Sequence, residues 1–319
     1  MEYPGAIYHV INRGNYRAWV FETEGAKKAF EECLFEACAK SRWRLHAYVI
    51  MGNHFHLAVE TPEGNLASGM HWLQATFACR FNRFRDERGH LFQGRYKALM
   101  VEAGDHLAQL CHYIHLNPVR AGVVTIEQLS DYRYSSYWYY RRSRPAFLDL
   151  STALMGAGQL SDAKEGWTSY EQYLSWQNEQ GPAGKSAAYE SMSKGWVLGS
   201  REFKQALIKD EATAVNMRAW DSLGAKEFQR LGWESLLEKA MAVIPESERS
   251  KHIGKSAAWK IAVAKWMKNS SNVTNGWLAE RLGMGTGAYV SKHVGLSKAG
   301  RHPKVGPWSN RLNKVKGKT

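Results

Sequence analysis

Hydrophobic and polar positions alternate along Ile7-Tyr-His-Val-Ile-Asn-Arg13, which predicts a first strand ending at Gly14-Asn15. The spacing then changes: between Glu24 and Ser41, Ala26, Phe30, Cys33, Leu34 and Ala37 recur at helical intervals. Arg44–Met51 and His54–Glu60 read as two strands separated only by Gly52-Asn53, whose residues tolerate positive φ and suit a tight hairpin. Thr61-Pro62-Glu63-Gly64 breaks the pattern ahead of a long helix from Asn65 to Phe84, with Met70, Leu73, Phe77 and Phe81 as its buried stripe. Tyr96–Ala103 reads as a further strand. A last helix opens at Asp105, a good N-cap, and runs to Asn117, where Pro118 is expected to stop it. This order of elements predicts an α+β fold, a ferredoxin-like antiparallel sheet with one added helix.

Beyond residue 126 the periodicity weakens. Aromatics crowd Tyr132–Tyr140, a segment expected to close the first domain, and short helices are predicted at Ser169–Asn178, Ser200–Glu211 and Ala225–Met241. Ala257–Trp266, Thr274–Leu282 and, after Gly283-Met-Gly285, Ala288–Val294 also look helical and suggest a helix-turn-helix unit. Ser297–Thr319 carries seven Lys or Arg and no acid, which reads as a mobile tail with affinity for phosphate. The chain therefore divides on sequence into 1–145, a helical connecting region 146–250 and a terminal unit 251–319.

Composition narrows the class of partner. The formal net charge of +13 favours polyanions, because neutralising a phosphate releases condensed counterions. A hydrophobic content of 44% is ordinary for a folded protein. Cys33, Cys38, Cys79 and Cys111 are scattered with no CxxC pair, which speaks against structural zinc and for a reducing compartment. The start Met1-Glu-Tyr-Pro-Gly5 has no signal-peptide pattern and no stretch is apolar enough to span a membrane, so a cytoplasmic protein is expected.

Two sites carry candidate chemistry. Strand geometry puts the imidazoles of His54 and His56 side by side on one face, with Phe55, Leu57 and Val59 on the other. Such a pair suits one divalent ion if a third ligand arrives from elsewhere, and it equally suits solvent-facing or hydrogen-bonded histidines. Tyr113 and Asn117 stand one helical turn apart at the edge of the stripe Leu107, Leu110, Cys111 and Ile114. The tyrosine alone fits a core rim as well as a reactive role, and the Asn117 amide can offer oxygen to magnesium or manganese. His106, His112 and His115 read as helix surface or packing.

The order of three blocks decides between these readings. Met51-Gly-Asn-His-Phe-His-Leu57, Leu91-Phe-Gln-Gly-Arg-Tyr-Lys97 and Tyr113-Ile-His-Leu-Asn-Pro-Val-Arg-Ala-Gly122, with Pro4–Val10 and Asn12–Asn15, resemble the REP-associated tyrosine transposases of the HUH single-tyrosine nuclease group. The resemblance spans roughly residues 3–140. It implies an HUH nuclease fold, with His54 and His56 as ligands of a divalent metal (Mg²⁺ or Mn²⁺), Asn117 as the third ligand and Tyr113 as the nucleophile. The implied reaction cleaves and rejoins single-stranded or hairpin DNA of the REP type through a 5′-phosphotyrosine. Related insertion-sequence transposases carry glutamine where this chain has the shorter Asn117. The same resemblance implies a bacterial, nucleoid-associated protein, monomeric or homodimeric.

Arg13, Arg17, Arg80, Arg83, Arg95, Lys97 and Arg120 are the basic residues expected to hold the DNA backbone, Arg95 and Lys97 from one face of their strand. Trp277–Gly283 with Tyr289–His293 is similar to the helix-turn-helix of DnaA-type replication initiators, with Ser291, Lys292 and His293 exposed. Two alternatives stand beside the transposase. One is a non-catalytic DNA-binding regulator on the same fold, the other a metal-dependent phosphodiesterase using water.

Overall fold

The run Ala6–Val10 is buried without interruption, and this places β1 (Ala6–Arg13) in the middle of a sheet. A computed structural model describes residues 2–179, 192–193, 195–209, 222–249 and 254–314. Thr23 caps α1 (Glu24–Ser41) by accepting from the Ala26 amide, and β2 (Arg44–Ile50) and β3 (His54–Thr61) follow. After α2 (Leu66–Arg85) come β4 (Lys97–Val101) and α3 (Asp105–Arg120). The strands lie in the order β2-β3-β1-β4, antiparallel throughout, as the sequence pattern predicts. A short β5 (Val197–Leu198) adds in parallel to the free edge of β4.

Helices α1 and α2 cover one face of this sheet. Phe30 of α1 meets Phe55 of β3 at 4.7 Å between centroids, Phe77 of α2 meets Phe30 at 5.1 Å, and Phe21 stacks on Phe77 at 5.5 Å. Because strand side chains alternate, His54 and His56 face the opposite side, where α3 packs. The aromatic segment after α3 runs along the β2 edge of the sheet. Tyr132 donates to the Ile50 carbonyl, Arg133 forms a bidentate pair with buried Glu31, and Ser136 accepts from the Tyr48 amide.

Several local expectations change. Neither Gly52 nor Asn53 has positive φ. Their carbonyls accept from Phe21 and Gly14, and a Cβ at Gly52 would come within 2.4 Å of the exposed Trp19 ring, which would have to shift. Gly104, not Asp105, occupies the N-cap of α3. Pro118 does not end that helix; Asn117, Pro118 and Val119 pass their carbonyls to Ala121, Val123 and Gly122, the last with φ of +67°. The helix thus runs one turn further and brings Arg120 back over Tyr113. Arg95 precedes β4 in a bend and so shares no strand face with Lys97.

The described residues form two compact units, 1–227 and 228–319, where the sequence pattern suggested three segments. In the first unit, α4 (Ser151–Gly156), α5 (Lys164–Glu179), β5 and α6 (Arg201–Lys209) follow the aromatic segment. Tyr170 of α5 is fully buried and its hydroxyl meets Nδ1 of both His112 and His115. Such packing leaves no trace in periodicity.

In the second unit, Trp233, Leu237 and Ala240 of α7 (Ser222–Ala242) share a core with α9 (Ala258–Ser270), which follows the short α8 (Glu246–Arg249). α10 (Asn275–Arg281) and α11 (Gly287–Lys298) complete it, joined across Gly283 and Gly285, both of positive φ. The terminal stretch is largely not a tail. α12 (Gly306–Asn313) packs Leu312 into the same core beside Val305, and residues 315–319 lie outside the described residues.

Candidate active site

Antiparallel pairing sets the register of the site. Arg13 of β1 stands opposite His54, Ile11 opposite His56 and His9 opposite Ala58, while Lys97 of β4 stands opposite Ile11 on the other side. All of these positions share the face on which α3 lies. The His54 and His56 rings are 5.0 Å apart, and the Tyr113 ring meets His56 edge-on at 5.5 Å and His9 at 6.0 Å. Asn117, one turn after Tyr113, hydrogen-bonds the side chain of His54. The strand pair and the helix residue pair therefore come together in one place.

Burial dominates the electrostatics of this face. It pushes His54 down to about 4, Arg13 adding to the effect and the Asn117 bond opposing it. Burial, followed by His9, His54 and Arg13, holds His56 well below the ordinary imidazole range. Both rings are neutral near pH 7, the form in which imidazole ligates metal. Among the described residues no group of three or more His, Cys, Asp or Glu could hold a metal ion. A divalent ion here would take the two imidazoles and the Asn117 amide, leaving positions for oxygen from water or DNA. Such a mixed nitrogen and oxygen donor set fits manganese or magnesium.

Two contributors to this face were not singled out from the sequence. His9 is fully buried, with Nε2 2.9 Å from His56 Nδ1 and Nδ1 2.7 Å from the Met192 carbonyl. Burial pushes its ring down to about 4, the Met192 bond opposing and Lys97 reinforcing the shift. Ser193 Oγ lies 3.2 Å from the Tyr113 hydroxyl, and Lys97 donates to the Ser193 carbonyl at 2.7 Å. A histidine alternating with apolar residues in a central strand was a usable signal for His9. Nothing in the sequence pointed to residues 192–193.

The expected basic set divides. Arg13 is exposed beside His54, the Arg120 guanidinium lies 5.8 Å from the Tyr113 ring centre, and half-buried Lys97 reaches the same side. Arg17 is exposed in the turn after β1 with φ of +61°. Arg80 sits on the other side of the sheet, held by Glu36 at 2.9 and 3.1 Å, and exposed Arg83 follows it on α2. Arg95 lines a groove of about 550 Å³ together with His71, Gln74 and His90. In the second unit, Ser291 and Lys292 are exposed on α11, whereas His293 is half-buried with Nδ1 3.1 Å from His302 Nε2, a correction to its expected exposure.

Residues 3–117 match the family described as "Transposase IS200 like". No curated protein matches the chain at a significant level. Among solved structures, a match is found to the "Structure of the REP associates tyrosine transposase bound to a REP hairpin". It has 16% identity and a TM-score of 0.37, and covers 48% of this chain and 93% of that one. Among the described residues no helix is long and apolar enough to cross a membrane. The histidine pair, the tyrosine and Asn117 all fall inside the matched span, and residues 3–117 are accordingly similar to an IS200-like transposase domain.

Proposed function

We propose that this chain cuts and rejoins single-stranded or hairpin DNA, with Tyr113 as nucleophile and His54, His56 and Asn117 as ligands of Mg²⁺ or Mn²⁺. The observation that carries the reading is the meeting of Tyr113 with the histidine pair on one sheet face, with Asn117 already bonded to His54. When bound, the metal supplies Lewis-acid polarisation of the scissile phosphate. The Tyr113 oxygen bonds to phosphorus as the bond from phosphorus to the 3′-oxygen breaks, and the phenol proton is balanced by the new 3′-hydroxyl. The phosphodiester energy stays in the 5′-phosphotyrosine, so another 3′-hydroxyl can reverse the step without ATP. Arg120 beside the Tyr113 ring and Arg13 beside His54 place positive charge where a phosphate must sit. Arg17, Lys97 and Arg95 extend the DNA path from this end of the sheet, and the exposed Ser291 and Lys292 of α11 add a secondary contact.

The reading is tested with end-labelled hairpin DNA and manganese, followed by denaturing electrophoresis. A labelled protein adduct is expected from the wild type and none from Tyr113→Phe. Cleavage without any adduct would favour hydrolysis by water, binding without cleavage a regulator, and full activity of Tyr113→Phe would refute the nucleophile.

A further inference from the structure

We infer that His9 is a positioning residue which, through a two-bond relay from the Met192 carbonyl, fixes the tautomer of His56 and so directs the lone pair of its Nε2 to the metal. The inference rests on the metal-site reading above, and its first step rests on hydrogen-bond chemistry alone. A backbone carbonyl can only accept, so His9 Nδ1, 2.7 Å from the Met192 oxygen, carries a proton and donates it. The neutral His9 ring is then left with a bare Nε2, an acceptor. His56 Nδ1 lies 2.9 Å from that atom and must be the donor. A neutral imidazole with its proton on Nδ1 has its remaining lone pair on Nε2, the atom left to ligate.

Both ends of the relay are bonded to the sheet. His9 and His56 project from adjacent strands in fixed register, and their rings stack at 5.1 Å with 25° between planes. The Met192 end is tied through Lys97 to the Ser193 carbonyl, and then through the pairing of β5 with β4. The Trp196 and Leu198 carbonyls accept from Met100 and Glu102, and Trp196 is buried. His54 has a parallel arrangement, its Nδ1 2.6 Å from the Asn53 side-chain oxygen, so both histidines have Nδ1 engaged by an outer partner. Partners of this kind orient metal-bound histidines and strengthen their basicity, and losing one weakens metal binding about 10–100-fold.

The test uses the full chain without metal, labelled with ¹⁵N-histidine, and two-bond proton–nitrogen correlation spectra. In the wild type, His56 is expected to show a protonated Nδ1 and a bare Nε2. In His9→Leu that pattern should give way to the Nε2-protonated form or a mixture. His9→Gln, whose amide oxygen can accept the same bond, should restore it. Mn²⁺ titration followed by calorimetry should show about 10–100-fold weaker binding for His9→Leu and recovery in His9→Gln. A bare Nδ1 on His56 in the wild type overturns the relay. So does unchanged metal affinity in a folded His9→Leu. If His9→Leu fails to fold, the wild-type spectrum and His9→Gln still decide. A wild type with the expected tautomer that binds no Mn²⁺ overturns the metal-site reading, and with it the purpose assigned to His9, whereas a wrong tautomer with normal Mn²⁺ binding overturns the relay alone.

Discussion

Glu31 offers a measurable test of how the segment after α3 is tied to α1 and β2. Its carboxylate is 4% exposed, and Oε1 accepts from Tyr48 at 2.6 Å and from Arg133 at 2.7 Å, while Oε2 accepts from Arg133 at 2.7 Å. In Glu31→Ala the fully buried Tyr48 hydroxyl loses its acceptor, a cost of about 1–3 kcal/mol. Breaking a fully buried ion pair costs about 3–5 kcal/mol. The Arg133 side chain is 38% exposed and its guanidinium lies 4.4 Å from the Trp138 ring centre, so its share is discounted to about 1 kcal/mol. The expected loss is about 2–4 kcal/mol, read from urea unfolding of the full chain, with a fall in Tm of roughly 4–16 °C. Arg133→Ala should cost at least as much, because it leaves the buried Glu31 carboxylate with only the Tyr48 hydroxyl as partner. The reasoning is refuted if Glu31→Ala or Arg133→Ala unfolds with the wild type.

Other expectations follow from the same packing. Gly69→Ala would set a Cβ 2.1 Å from a ring carbon of buried Trp43, which is itself tied to Asn65 at 2.8 Å, and the overpacking should cost about 1–3 kcal/mol or more in denaturant unfolding. Burial pushes His112 down to about 4 and His115 down to about 3, below the unfolded value of 6.5, so the unfolded chain takes up more protons at mildly acid pH. Their contribution to stability is complete above pH 6.5 and is lost as pH falls from there towards 4, by about 1.4 kcal/mol per pH unit for each ring; equal urea midpoints at neutral pH and one unit below 6.5 would contradict this. Tyr113→Phe removes one 3.2 Å hydrogen bond at a partly exposed position, so it should abolish the DNA adduct while costing less than about 1 kcal/mol of stability in the same unfolding assay.

The elements from β1 through α3 were legible because alternation and helical spacing are local signals. The common face of His54 and His56 was legible for the same reason. Their meeting with His9 was not, since it depends on which strand lies beside β3 and in what register. Pro118 shows the limit of a breaker rule, because a proline near a helix end is tolerated when later amides satisfy the carbonyls around it. The terminal basic stretch misled in a similar way. Its lysines and arginines stand out, but Val305 and Leu312, two residues among many polar ones, decide that it packs. Arg80 looked available in sequence, and only the fold shows Glu36 gripping it from a neighbouring helix.

Chain order gives the β5 segment a temporal meaning. Synthesis delivers His9, His54, His56 and Tyr113 early, at about 5–20 residues per second, but Met192 follows well after the transposase span ends at 117. A nascent chain, or one broken by a protease before 192, would carry His9, His54, His56 and Tyr113 and lack the carbonyl that His9 meets.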